Sequence, residues 1–161
     1  MENTTPIKRH PAIVSFSKDH HFGLLLVWKI RQGLSRQFDP ERISNYTGYF
    51  FKEDLEQHFK DEEVLLFCRL PVDDVLRKQA EADHLAINDL VASIGKDKAN
   101  LDLLKNFAVL LEKHIRFEER ELFNHLQENI SGEDLEEIAL RFPGSHADID
   151  AKWEDHFWII K

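Results

Sequence analysis

The chain is poor in the features that staple, pleat or membrane-anchor a protein. It has one cysteine, Cys68, so no disulfide can form within it, and a reducing compartment is expected. Cys68 lies in the apolar run Val64-Leu65-Leu66-Phe67-Cys68, where a small buried hydrophobe is expected. Six glycines and five prolines are too few for a turn-rich β protein and suit long helices. The longest apolar run, Leu24 to Trp28, is far too short to span a bilayer. The first 21 residues show no basic segment followed by an apolar one, so no secretory signal and a cytoplasmic location are expected. Positive charge is also scarce: 21 Lys and Arg stand against 30 Asp and Glu, a net charge of −9. No basic cluster offers itself to phosphates, so nucleic acid is not expected as a partner.

What remains is a helical pattern with a core. Apolar residues make up 42% and charged residues 32% of 161 residues, enough for one domain over 1–161. A bundle core is expected over about 10–129 and a C-terminal extension over about 130–161. A first helix is predicted from about Pro11 to about Arg36. Asp39-Pro40-Glu41 supplies a cap, a first-turn proline and a favourable acid for a second helix, which ends near Arg69 before Pro71. A third starts near Val72-Asp73-Asp74 and stops at Gly95. The fourth runs from about Ala99-Asn100 to about Asn129. After Ser131-Gly132, a short helix from Asp134 to about Arg141 ends before Pro143-Gly144. The tail carries Trp153, Phe157, Trp158, Ile159 and Ile160, expected to cover the helices. Four helices with short links predict an all-α, antiparallel up-down-up-down four-helix bundle with a short C-terminal helix and tail.

Apolar stripes run along each helix and are interrupted by the same kind of residue. Phe51, Leu55, His58, Glu62 and Leu65 share one face; so do Phe107, Leu111, His114, Glu118 and Leu122. Ala80, His84, Ile87, Val91 and Ile94 form a third stripe, and Ile13, Phe16, His20, Leu24, Val27 and Leu34 a fourth. Burying His20, His58, Glu62, His84, His114 and Glu118 without partners would be very costly. A metal ion satisfies them all at once. His58-x-x-x-Glu62 and His114-x-x-x-Glu118 put an imidazole and a carboxylate one helical turn apart, so both reach inward. Two such pairs plus two single histidines make a two-metal box, and mixed His and carboxylate donors suit iron or manganese. In the first helix His20 aligns with Ile13, Leu24 and Val27, opposite Lys18, Lys29 and Arg36; its neighbour His21 is the alternative ligand.

The stretches Lys18-Asp19-His20-His21, His58 to Glu63, Glu81-Ala82-Asp83-His84 and His114 to Glu119 resemble the hemerythrin/HHE cation-binding family over about residues 10–128. The resemblance implies an oxo- or hydroxo-bridged pair of non-heme irons. Glu62 and Glu118 would bridge them, and His20, His58, His84 and His114 would be terminal ligands. Oxygen-carrying hemerythrins bring two histidines four apart on the third helix, whereas Asn88 follows His84 here. Phe59 stands where some relatives place a carboxylate. An extra open metal position is therefore expected, turning the function from oxygen carriage toward sensing or redox chemistry.

The other histidines carry different expectations. His10 should cap or lie at the surface, His125 should sit too far along the axis to join the site, and His146 and His156 should be surface or packing groups. Glu63, Glu119, Glu121 and Asp61 are candidate neighbours of the ligands, and Phe59, Phe117 and Phe123 candidate walls. The function expected is a di-iron protein that binds or senses O2, NO, iron or redox state. Alternatives are an oxidoreductase acting on peroxide or oxygen, and a metal-free helical interaction module.

Overall fold

The computed structural model describes residues 8–142 and 148–159. Among them it is all helix, with no strand. α1 is Pro11–Ser35, and the His10 ring caps it by accepting the Ala12 amide. α2 spans 40–69 and opens at Asp39, whose carboxylate accepts the Glu41 amide just before the first-turn Pro40. α3 is Val75–Lys96, capped by Asp74. α4 spans 101–129, with Asn100 accepting the amides of Asp102 and Leu103. α5 is Gly132–Arg141, capped by Ser131. Each cap satisfies amides that the first turn leaves without partners. Gly95 does not stop α3: the helix passes through it to Lys96.

Two of these helices are not regular. In α2 the α-helix Pro40–Phe50 gives way to a π-helical turn, Phe51–Leu55, and a second one follows at Glu62–Leu66. In α4 a π turn covers Glu118–Leu122. A π turn holds more residues than an α turn and shifts the inward face. That is why Leu65, Leu66 and Phe67 are all buried in succession, as are Leu122 and Phe123.

The core has two apolar parts with a polar layer between them. One part contains Leu26, Ile30, Ile43, Tyr46, Ile87, Ile94, Leu104 and Phe107. The other contains Ile13, Phe16, Leu66, Phe67, Ala80, Leu122 and Leu126. Each of α1 to α4 contributes to both parts, and the histidines and glutamates fall between. Cross-helix pairs run in opposite directions along neighbouring helices. Asp19 meets His58 while Lys29 meets Tyr46; Ser17 meets Glu119 while Arg31 meets Glu112. α1 comes close to α2 where Gly33 lies; a Cβ there would stand 2.7 Å from Ile43 Cδ1.

The C-terminal segment seals one end of the core, as the tail aromatics suggested. Trp153 stacks on Tyr49 with centroids 4.5 Å apart, and Trp158 lies 4.6 Å from Tyr46. Beneath them Lys29 is buried, not on the outer face expected for it. Its Nζ donates to Tyr46 Oη at 2.9 Å and to Asp150 Oδ2 at 2.5 Å, and Trp158 covers it. The pair compensates an otherwise costly buried charge. Two further residues depart from expectation: Cys68 is exposed, with its thiol donating to the Val64 carbonyl, and Ile159 is half exposed. Pro143-Gly144, His146 and Ile160 lie outside the described residues. No helix among the described residues is long and apolar enough to cross a membrane.

Candidate metal centre

All six residues singled out by spacing meet in the polar layer. His20 comes from α1, His58 and Glu62 from α2, His84 from α3, and His114 and Glu118 from α4; all six are buried. Their donor atoms fall into two groups whose members lie within 4.8 Å of one another. One group is Glu62, His84, His114 and Glu118; the other is His20, His58 and Glu62. Glu62 belongs to both. The π turns of α2 and α4 begin at Glu62 and Glu118, so each irregularity sits at a carboxylate of the cluster. His21, the alternative to His20, is exposed and faces away.

Each ring is held by its outer nitrogen. His20 Nδ1 bonds to Glu119 at 2.6 Å and His58 Nδ1 to Asp19 at 3.1 Å. His84 Nδ1 bonds to Glu63 and His114 Nδ1 to Asp83, both at 2.9 Å. Glu119 is itself fixed by Ser17 at 2.7 Å and by Arg9. A carboxylate on Nδ1 fixes the ring's orientation and makes the other nitrogen a better metal donor. Of these acids, Glu63 and Glu119 were foreseen. Glu121 is exposed and Asp61 pairs with Gln57, so neither takes part. Asp19 and Asp83 were missed: each lies beside a ligand in sequence but serves a histidine on the next helix.

The inward nitrogens are left without hydrogen bonds. So are both oxygens of Glu62 and both of Glu118. His58 Nε2 stands 3.1 Å from Glu62, His84 Nε2 3.5 Å from Glu62, and His20 Nε2 3.8 Å from Glu118. His114 Nε2 and Glu118 make the closest contact of the set. Buried polar atoms are almost always bonded. Eight converging atoms that are not, four imidazole nitrogens and four carboxylate oxygens, fit the binding of hard or borderline cations.

The same geometry sets the proton affinities. Burial pushes the His20 ring toward its neutral form, but the nearby Glu118 carboxylate and the bond to Glu119 outweigh it and raise its pKa to about 9. In the same way burial is overcome by the charge of Glu118 and the bond to Asp83, and His114 rises to about 10. His58 and His84 are raised for like reasons. Burial would raise Glu118, yet the charge of His114 and the closeness of the His20 ring hold it well below the usual carboxylate range. Glu119 is drawn down to about 2, its burial offset by the bonds from His20, Arg9 and Ser17.

Aromatic rings wall the cluster. Phe59 stacks on His84 at 4.0 Å, and Phe123 lies parallel to His20 at 5.1 Å. Phe117, the third expected wall, turns to the outer groove between α3 and α4. Beside His20, His58, His114 and Glu118 is a void of about 10 Å³, otherwise lined by Asp19, Gly23, Leu55, Phe59, Leu111 and Ile115. Asn88 is exposed and borders a shallow cleft with Glu56 and Lys60. Phe59 and Glu63, which touch the His84 ring, line the same cleft. The inward stripe of α3 runs through Ala80, His84 and Ile87 instead. His125 bonds to Asp74 at 2.7 Å and His156 to the Asp150 carbonyl at 2.8 Å, both away from the cluster.

No solved structure matches. The chain is 26% identical over 126 residues to a protein from Nostoc sp. strain PCC 7120 named DNA nickase, covering 74% of this chain and 35% of that one. The chain thus spans about a third of the length of that curated relative. The model of the hemerythrin HHE cation-binding domain matches residues 14–126, which contain all six buried donors and their four carboxylate supports, and the chain belongs to that family.

Proposed function

We propose that His20, His58, Glu62, His84, His114 and Glu118 hold two iron ions in an up-down-up-down four-helix bundle, and that the protein binds or senses a small ligand there. The bundle is supported by the alternation along the chain, with α1 and α3 crossing the polar layer in one sense and α2 and α4 in the other. The metal reading rests on the eight buried, unbonded donor atoms that converge from four helices. A metal-free interaction module would leave these buried atoms only the attraction between the rings and the two carboxylates, with no hydrogen bonds to replace those lost to water. Manganese would fit the same donors.

Glu62, common to both donor groups, would hold both ions in this reading, with Glu118 beside it. Iron, when bound, supplies a redox-active position at which O2 or NO can add. The space among His20, His58, His114 and Glu118 is only about 10 Å³, so a bound ion would leave little room beside it, which favours a diatomic ligand over a larger substrate. Its walls beyond the cluster and Asp19 are Gly23, Leu55, Phe59, Leu111 and Ile115, none of which can deliver a proton. That favours binding or sensing over turnover of peroxide. The nickase name belongs to a relative of which this chain matches only 35%, and a net charge of −9 leads us to place no DNA contact on this chain. One cysteine, exposed and unpaired, accords with a reducing cytoplasm.

Anaerobic ferrous loading followed by metal analysis and visible spectroscopy tests this. The expected result is about two irons per chain and a spectrum altered by O2, NO or azide. Well under one iron or manganese per chain would overturn the metal reading. Two irons with a spectrum indifferent to every small ligand would overturn the sensing reading.

A further inference from the structure

Away from the cluster, α3 and α4 leave an outer groove of about 740 Å³. Its apolar lining is Val75, Leu76, Val109, Leu110 and Phe117. Val75 is 78% exposed and Val109 58%. Single exposed aliphatic residues are ordinary, but several lining one groove mark a contact surface. The rim is charged. Of its three acids, Asp83 is engaged by His114 and Glu112 by Arg31 at 2.9 Å, while Glu121 makes no ion pair among the described residues and is outnumbered by two cations. Lys113 and Arg120 line the groove with no acidic partner among the described residues. The groove therefore suits a helix with an apolar knob flanked by acids.

The chain carries such a helix. The outer face of α5 presents Glu133, Glu136 and Leu140, spaced to share one side. Leu140 is 86% exposed, more than any other large apolar side chain among the described residues. Glu133 has no basic partner there, and Glu136 meets only His10, at 3.3 Å. Within its own chain α5 is held elsewhere, by Leu135 and Ile138 in the core and by Arg69 to Asp134 at 3.4 Å. Its outer face is left for another molecule.

We propose that two copies of this chain associate, the outer face of α5 in one seated in the α3–α4 groove of the other. Leu140 enters among Val75, Val109 and Phe117, and Glu133 and Glu136 meet Lys113 and Arg120. A two-fold axis makes the contact twice and closes the pair. This does not depend on the metal reading.

Sedimentation velocity of the full chain over a concentration series tests it. A reversible dimer is expected. Leu140→Asp, and Lys113→Glu with Arg120→Glu, should each weaken it about tenfold or more. Adding Glu133→Lys and Glu136→Lys to the second variant should restore it to within about threefold. Circular dichroism melts check that every variant folds, as substitutions at exposed positions should. A chain monomeric at all concentrations to about 1 mM overturns the proposal, as it would if the groove served a foreign acidic helix. So does a dimer that the variants leave unmoved, or a folded fourfold variant that does not recover.

Discussion

The two halves of the polar layer carry the same residues in different surroundings. α1 and α2 bring Asp19-His20 and His58-x-x-x-Glu62-Glu63; α3 and α4 bring Asp83-His84 and His114-x-x-x-Glu118-Glu119. The supporting acids close a ring around the layer: Asp19 to His58, Glu63 to His84, Asp83 to His114, Glu119 to His20. Yet the α3–α4 half gathers four donor residues and the α1–α2 half three. Phe59 covers His84 at 4.0 Å, while the void borders His20, His58, His114 and Glu118 and leaves His84 out. On the proposed reading, matching ligands in unequal packing would give two unlike metal positions, the one that uses His84 being the more tightly walled.

The largest test of that inequality is at the shared carboxylate. Glu62 serves both groups, whereas Glu118 joins the four-residue group alone. Glu62→Ala is expected to lose both ions, and Glu118→Ala to keep about one per chain, by elemental analysis after gel filtration. Next come the single histidines. His20→Ala and His84→Ala should each lose about one ion, from opposite halves, while His21→Ala loses none.

The supporting acids should matter less. Asp19→Asn, Asp83→Asn and Glu63→Gln are each expected to weaken metal binding by about tenfold to a hundredfold. Glu119→Gln belongs at the upper end, because it also frees Arg9 and Ser17. A competitive chelator titration measures this.

The pH dependence of chelator-stripped protein has a definite sign. His20 and His114 hold protons when folded up to about pH 9 and about pH 10, whereas unfolded histidine releases them near 6.5. The folded state therefore binds more protons in that interval, so stability should fall as pH rises from about 6.5 through 9 to 10. Urea titrations at both ends of the window check it. Metal retention has the opposite sign, since protons and cations compete for the same nitrogens.

The smallest effect is expected at the void. A Cβ on Gly23 would stand 2.8 Å from Ile115 Cδ1, a flexible side-chain end that can yield toward the void. Gly23→Ala should leave the metal count unchanged and lower azide affinity by a few-fold. Equal affinity would detach the void from ligand binding.

The convergence of the six buried side chains was legible in sequence because a polar residue on an apolar stripe breaks a pattern that the rest of the helix keeps. His20 over His21 followed from the same phase. The acids behind the rings were half legible. Glu63 and Glu119 follow ligands directly, but Asp19 and Asp83 act across helices, and a single helix's periodicity says nothing of its neighbour's face. Asn88 is one turn on from His84 but exposed, and the inward stripe there runs through Ile87, a phase that the spacing of four alone does not give. Lys29 was placed outside because its charge was read without Asp150, far along the chain, which makes its burial tolerable. The π turns at Glu62 and Glu118 left no mark in spacing, since the residues before them keep the α period.

The most direct test of the central claim is anaerobic titration of stripped protein with ferrous ion, with calorimetry in two buffers of different ionisation heat. The account predicts saturation near two ions per chain, with protons released as the cations displace them from the histidines. Absence of saturable binding, or binding with no proton release, would contradict it.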